Sequence, residues 1–579
     1  MKYKIRNQDK KNNESTLYKI LRSRGIKDPY HYLNVSESDI IDPSIITNIK
    51  EAAMCLIKHI GLYDKIFINV DSDCDGYTSA AFMINWLYRT FPGYTEKFVT
   101  WGFHDDKGHG ILENKISKDI KLIICPDAGS SEYEIHKRLK EKGVDIIIID
   151  HHNADKYSED AYVINNQLDP NYSTKTISGV MMVYKFCSYL DTLVNANHAK
   201  DMLDLASLGD IADVMSLQDY EAHELITLGL NNINNPFMIA MIAKNEYSFK
   251  GKVTPTGIAW YIAPAVNAVT RVGTNEEKEC LFQAMLESKA YNQVLSTKRG
   301  HKVGETETIL EQAVRICTNV KRRQDKSRDD MFESICKKIE DKDLLKNKIL
   351  FIQLDKSESN TSITGLIANK LMSKYGHPVM LLNQTFDDET GELMWSGSGR
   401  NIPTEAIPSL QKFAQDSQFF ELAQGHDNAL GLSILDSNVD SFLRYSNAVL
   451  AKADFTPCYE IDAVYYPNKI DINDILEIAD AEDIWGQGIE EPLILLEKIP
   501  FTAENICLYG STLKLVLPDN LSAIKFNVSE DEYKRLLPKN INEVNLISII
   551  GTCARNTGWD NGPEIKIKDY EIAGSAYYF

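Results

Sequence analysis

The chain has 579 residues, 43% apolar and 25% charged, with 83 acidic against 63 basic side chains and a formal net charge of −20. This composition excludes a disordered or fibrous protein, and the length suits roughly three to four domains. The acidity argues against a broad cationic grip on nucleic acid, although carboxylates spent on metal ions lower the total while a local basic channel survives.

The basic, polar N-terminus MKYKIRNQDKKNNEST has no apolar core, and no later stretch is long and apolar enough to span a bilayer. Residues 1–55 read as an N-terminal helical segment. From about residue 60 the runs KIFINV, TSAAFMINWLYRTF, KLIIC, EYEIHKRLKEKG and VDIIIID alternate strand and helix. Near-continuous apolar strands predict a parallel sheet covered on both faces, in an α/β domain over 56–275. A helical connector over 276–345 includes the charge-dense KRRQDKSRDDMFESICKKIEDKDLLKNK. A second, smaller α/β domain over 346–455 runs KILFIQLD, ITGLIANKLMSKYG, HPVMLLNQ, LMWSGSGR. Over 456–579, short strand-like runs between Asp-Asn, Gly and Pro turns predict a small barrel or sandwich. The ten cysteines are scattered without a CxxC pair, so neither a thiolate zinc site nor a disulfide framework is expected, and a reducing cytoplasm fits best.

Four segments place acids or histidines at the end of an apolar run, where open α/β sheets bind ligands. VDSDCDG spaces Asp71, Asp73 and Asp75 by two; it resembles the opening of an EF-hand loop, but the bidentate acid that should close such a loop is missing. IICPDAGSS puts Asp127 after a strand, where a lone Asp also serves as a turn or N-cap residue. DIIIIDHHN delivers Asp150, His151 and His152 from a buried run, and adjacent imidazoles there call for a metal or a phosphate oxygen. LDLASLGDIADVMSL sets Asp210 and Asp213 three apart on one helix face in apolar text, so either both are exposed or a cation offsets their burial.

DSDCDG, PDAGS, IDHHN and GDIADVM resemble, in this order, the four motifs of the DHH phosphoesterase superfamily. GHGI at 108–111, ISGVMMVYKF, APAVNAVTR, SGSGR, QGHDNALG and WGQGIEEP resemble the GYGL, GVGVAFK, PRINAAGR and later motifs of the RecJ family, over nearly the whole chain. Three departures remove positive charge near the expected nucleic-acid path: His104 and Ala265 stand where that family has arginine, and EAHE puts His223 at a third arginine position.

The resemblance implies a DHH catalytic domain, a DHH-associated substrate-binding domain and a C-terminal OB-like barrel that binds nucleic acid. It also implies 5′-to-3′ hydrolysis of single-stranded DNA to 5′-mononucleotides in recombination, repair or replication. Two divalent ions, Mn2+ or Mg2+, would be held by Asp71, Asp73, Asp127, His151 and Asp213. Asp75 would complete the catalytic set, Asp150 would orient His151, and His152 would hold the scissile phosphate. His104, Arg271, Ser398, Arg400 and His426 would bind substrate, with Arg271, Ser398 and Arg400 gripping a 5′-phosphate. Trp559 would stack on a base or pack in a hairpin. Single-strand-binding protein and other replication or repair proteins are candidate partners. The alternatives are a phosphodiesterase for short oligoribonucleotides or cyclic dinucleotides, and a catalytically idle nucleic-acid-binding protein.

Overall fold

The computed structural model describes residues 1–6, 14–104, 108–358, 363–387, 390–402, 404–456, 458–540, 542–556 and 561–577. The chain forms two compact units, one of residues 5–320 with 461–579 and one of residues 1–4 with 321–460.

In the larger unit, the predicted strands form as α1 (Ile49–Gly61), β1 (Lys65–Val70), α2 (Cys74–Thr90), β2 (Val99–Phe103), β3 (Ile120–Pro126), α3 (Tyr133–Glu141), β4 (Asp145–Asp150) and β5 (Tyr162–Asn165). The sheet order is β2-β1-β3-β4-β5, with every pairing parallel. Both faces are covered, which is why the strands read as unbroken apolar runs. Ile147 and Ile149 join α1, α2 and α4 (Gly179–Val194) on one face, while Ile146 and Ile148 join Leu139 of α3 on the other. The chain leaves β1 for β2 on one side and returns to β3 on the other. That reversal opens a crevice at the carboxyl ends of β1 and β3. Two further helices, α5 (Leu203–Ala212) and α6 (Ala263–Val272), contact α2. His223 is buried against Tyr32 with ring centroids 4.2 Å apart, and burial depresses its pKa to about 4. It is a neutral core residue, with no cation to offer a strand.

Within 276–345 a small antiparallel hairpin, Gln293–Leu295 with Thr306–Thr308, precedes a 33-residue helix, α7 (Ile309–Asp341). In the smaller unit follow β6 (Leu350–Leu354), α8 (Thr364–Tyr375), β7 (Val379–Phe386), β8 (Leu393–Arg400), β9 (Leu422–His426) and β10 (Ala429–Leu435). They form the sheet β9-β10-β8-β7-β6, in which only β6 and β7 run parallel. Its core gathers Phe351, Trp395 and Phe442.

The C-terminal strands are β11 (Ala463–Tyr465), β12 (Ile494–Phe501), β13 (Ile506–Tyr509), β14 (Thr512–Val516), β15 (Ser522–Lys525), β16 (Glu543–Arg555) and β17 (Pro563–Tyr577). They form a mixed sheet ordered β11-β12-β16-β17-β15-β14-β13, whose pairings do not close on themselves among the described residues. Two long strands, β16 and β17, carry this sheet. The ladder between them runs past Gly551 through a register shift between Ile550 and Gly551. The WGQG segment docks on the first domain: Leu217 N–H donates to the Gln487 carbonyl (2.9 Å) and the Thr256 hydroxyl to the Trp485 carbonyl (3.0 Å). Trp559 lies outside the described residues. Among the described residues no helix is long and apolar enough to cross a membrane, and all ten cysteines are free thiols.

Candidate metal centre

Strand ends and helix starts bring the four motif segments together at the crevice. Asp71 follows β1, and its side chain is 1% exposed. Asp73 caps α2, accepting from Gly76 N–H at 3.0 Å. Asp127 leaves β3 in the left-handed region at φ 62°, a conformation that a non-glycine residue adopts at a cost and that functional sites often retain. His151 and His152 follow β4, and Asp213 closes α5.

Side-chain donors of Asp71, Asp73 and Asp127 lie within 4.8 Å of one another, as do those of Asp75, His151 and Asp213, and those of Asp127, His151 and His152. His151 Nε2 is 3.2 Å from Asp127 Oδ1, 3.5 Å from Asp213 Oδ2 and 3.8 Å from Asp75 Oδ2. All five proposed ligands therefore converge, joined by Asp75 and His152. Asp75 is already engaged: it accepts from Gly179 N–H (2.7 Å), Val180 N–H (3.0 Å) and the Ser178 hydroxyl (3.2 Å) at the start of α4. That helix terminus offsets its burial. Asp210, beside it, accepts from Ser178 N–H at 2.9 Å.

Asp150 makes a different contact from the one expected. It reaches His151 only through the backbone N–H (2.8 Å), and its ring contact is to His152 Nδ1 at 2.8 Å. Burial alone would raise its pKa, but the bond to His152, the two imidazoles and Ser130 draw it down to about 2. In return Asp150 raises His152 to about 9. His151 is depressed, chiefly by burial. Burial and neighbouring acids push Asp127 well above the carboxylate range and Asp213 to about 8, while burial lifts Asp210 to about 7 and also raises Asp73.

Four buried atoms here, Asp71 Oδ1, Asp127 Oδ1, His151 Nε2 and Asp210 Oδ2, have no hydrogen-bond partner. Buried acids that lack donors are costly in their charged form unless a cation compensates. A Cβ on Gly179 would run into the Asp127 carboxylate, so the cradle tolerates only glycine. Carboxylates with one imidazole suit Mn2+ or Mg2+ and provide no thiolate for a zinc site. The residues present fit divalent ions. A separate grouping of Cys55, His59 and Asp145 does not, because both ring nitrogens of His59 are spent on Asp64 (2.8 Å) and Asp145 (3.0 Å).

The sequence reading missed His109, whose Nδ1 donates to Asp71 Oδ2 at 2.6 Å. Its position inside GHGI, with two flanking glycines, was the available signal. His104 Nε2 donates to the Gly110 carbonyl (3.0 Å) and lies 4.0 Å from Asp71 Oδ1. Arg271 is exposed at the C-terminal end of α6. In the smaller unit, Arg400 Nη1 donates to the Gly399 carbonyl (2.7 Å). A Cβ on Gly365, in the first turn of α8, would meet the Arg400 guanidinium and lie 3.5 Å from Ser398 Oγ. Ser398 and Arg400 thus share one helix terminus. The register places Arg400, Ala429 and His426 in one row across β8, β10 and β9.

Residues 65–209, which carry the parallel sheet and the acids and histidines at its switch point up to His152, match the DHH family, N-terminal domain. The chain is 35% identical over 565 residues to "Putative SPbeta prophage-derived single-strand DNA-specific exonuclease YorK" of Bacillus subtilis (strain 168), covering 97% of this chain and 96% of that one. It is 25% identical to the single-stranded-DNA-specific exonuclease RecJ of the same organism, covering 94% of this chain and 66% of that one. The crystal structure of RecJ in complex with Mn2+ from Thermus thermophilus shares the fold, at TM-score 0.64 and 19% identity, covering 91% of this chain and 72% of that one. The chain belongs to the DHH family and, within it, to the RecJ-like exonucleases.

Proposed function

We propose that the protein is a metal-dependent exonuclease that degrades single-stranded DNA from its 5′ end and releases 5′-mononucleotides. The observation that carries this reading is the convergence of buried, unpartnered acid and imidazole atoms at the switch point. Asp71, Asp73, Asp127, His151 and Asp213 would hold two divalent ions, Mn2+ or Mg2+. When bound, those ions supply Lewis-acid activation of water and of the scissile phosphoryl group.

The chain's own groups do the rest. Asp75, fixed by the α4 amides, sets the floor of the site. Asp150 holds Nδ1–H of His152, so the raised pKa keeps the ring cationic near neutrality and the Nε2–H side free for a phosphate oxygen. Ser398 and Arg400, beside the first turn of α8, suit a terminal 5′-phosphate, since a guanidinium and a helix N-terminus both favour such an anion. Arg271, His104 and His426 would add contacts to the strand. The C-terminal sheet suits a strand-binding, OB-like role, and partners of the replication or repair class, single-strand-binding protein among them, remain part of this reading.

The test is degradation of end-labelled single strands bearing 5′-phosphate, 5′-hydroxyl or ribose, with and without Mn2+. Mn2+-dependent release of mononucleotides from 5′-phosphorylated DNA is expected. Digestion from 3′ ends would overturn the polarity, and absence of Mn2+-dependent turnover would overturn the enzyme.

A further inference from the structure

We infer that His109 positions Asp71 for its metal, a role resting on the centre described above. Asp71 has two chemically equivalent oxygens. Oδ2 accepts from His109 Nδ1 at 2.6 Å, while Oδ1 is buried with no hydrogen-bond partner. One oxygen is therefore tied back and the other is presented in a fixed direction. A ligating carboxylate held by an outer hydrogen bond loses the freedom to rotate, and such partners commonly matter to metal affinity.

The donor is as firmly placed as the acceptor. The Ser72 hydroxyl donates to the Gly108 carbonyl (2.6 Å), Asn69 Nδ2 to the Gly110 carbonyl (2.9 Å) and Leu112 N–H to Asn69 Oδ1 (3.0 Å). These bonds clamp the loop around His109 onto the end of β1, the strand that delivers Asp71. Gly110 sits at φ 91°, in the left-handed region that glycine adopts without strain. The His109 side chain is itself 65% exposed, so it contributes little to the core. The pair inverts the Asp150–His152 arrangement: there a buried acid aims an exposed imidazole, and here an exposed imidazole aims a buried acid.

The full-length protein would be titrated with Mn2+ by calorimetry as wild type, His109→Phe and His109→Asn. Phenylalanine keeps the ring but removes the donor, whereas the asparagine amide places an N–H near the Nδ1 position. We expect His109→Phe to weaken one Mn2+ site by about 10- to 100-fold and His109→Asn to recover affinity to within about threefold of wild type. His109→Asn should keep the metal-free melting temperature, and His109→Phe, which leaves Asp71 Oδ2 without its donor, should lower it by a few degrees while remaining folded. Wild-type Mn2+ binding in His109→Phe would overturn the role. So would His109→Asn binding as weakly as His109→Phe while remaining folded. Failure of the centre itself reads differently: wild-type protein that binds no Mn2+ would remove the metal site and this role together.

Discussion

The metal centre and the Ser398–Arg400 strand end are both built from charged side chains at element termini, but under opposite physical conditions. At the centre, Asp71, Asp127 and His151 are buried with unpartnered atoms, an arrangement strained without cations. At the strand end, Arg400 is only half-buried and already donates to the Gly399 carbonyl. The first place is organised around something that must arrive before chemistry can occur. The second is at rest and can improve on binding. Losses should accordingly be all-or-none at the centre and graded at the strand end.

The largest effect tests the centre. Asp127→Ala or His151→Ala should lower hydrolysis by about three orders of magnitude or more, roughly 4 kcal/mol of transition-state stabilisation, with little loss of fold. Steady-state hydrolysis of labelled single strands, beside a melting curve, measures both. Wild-type-like turnover in either variant would remove the site. Gly179→Ala leaves every ligand in place but drives a methyl into the Asp127 carboxylate. It should reproduce much of the Asp127→Ala loss; unchanged Mn2+ affinity would mean that the cradle is loose.

The same contrast explains what could be read from the sequence. The parallel sheet was legible because strands buried on both faces must be apolar throughout, as VDIIIID is. The acids and histidines that converge at the crevice were legible because they interrupt such runs at their ends. His109 was not, because nothing in a Gly-His-Gly loop reveals which buried acid the ring will meet. Nor was the pairing of Asp150 with His152 rather than with the His151 ring, since adjacent residues leave a strand in opposite directions and only the backbone path decides which imidazole turns back. In the C-terminal sheet the strand-like runs were legible from the turn residues between them, but the order in which they pair was not, because β16 and β17 take partners from distant parts of the chain. The grouping in the smaller unit was the least legible part. Ser398, Arg400 and His426 are ordinary strand residues until pairing sets them near one another.

The next effect tests the strand end. A charge-assisted contact to phosphate contributes about 1.5–3 kcal/mol, so Arg400→Ala should weaken use of 5′-phosphorylated strands by about one to two orders of magnitude. The 5′-hydroxyl substrate should lose much less. Equal losses on both, measured as kcat/KM ratios, would cancel the assignment of Ser398 and Arg400 while leaving the metal centre intact.

A smaller effect concerns pH and sharpens the idea of strain without cations. Asp210 and Asp213, raised to about 7 and 8, and Asp127, also raised by burial, retain protons that the unfolded chain releases near pH 4. Groups with raised folded-state pKa values contribute stability that is complete below the unfolded value and is lost as pH climbs through the folded one. Metal-free protein should therefore lose a few degrees of melting temperature between pH 6 and 9, roughly the window of those pKa values. Mn2+ should cancel the loss, because it replaces the protons and binds more tightly as they leave. A metal-free melting temperature that rises across this window would contradict the raised values.

The smallest effect is the salt response, which bears on the strand end and on the acidity of the whole chain. Each phosphate neutralised by a cation releases counterions, and on single strands the logarithm of binding falls by about 0.7 per contact for each decade of salt. A net charge of −20, with His104 and Ala265 in place of cations and His223 buried and neutral, leaves Arg271, Arg400 and His152 as the principal candidates for such contacts. Three contacts predict a slope near −2 for kcat/KM at saturating Mn2+, shallower than a basic nuclease with many contacts would show. Arg400→Ala should reduce that slope by somewhat less than one unit on 5′-phosphorylated strands and leave it unchanged on 5′-hydroxyl strands. A slope beyond about −5 would mean that a concentrated basic channel lies behind the net charge. A flat response would mean that the strand is held by stacking and hydrogen bonds, with the ions at the centre meeting its only essential charge.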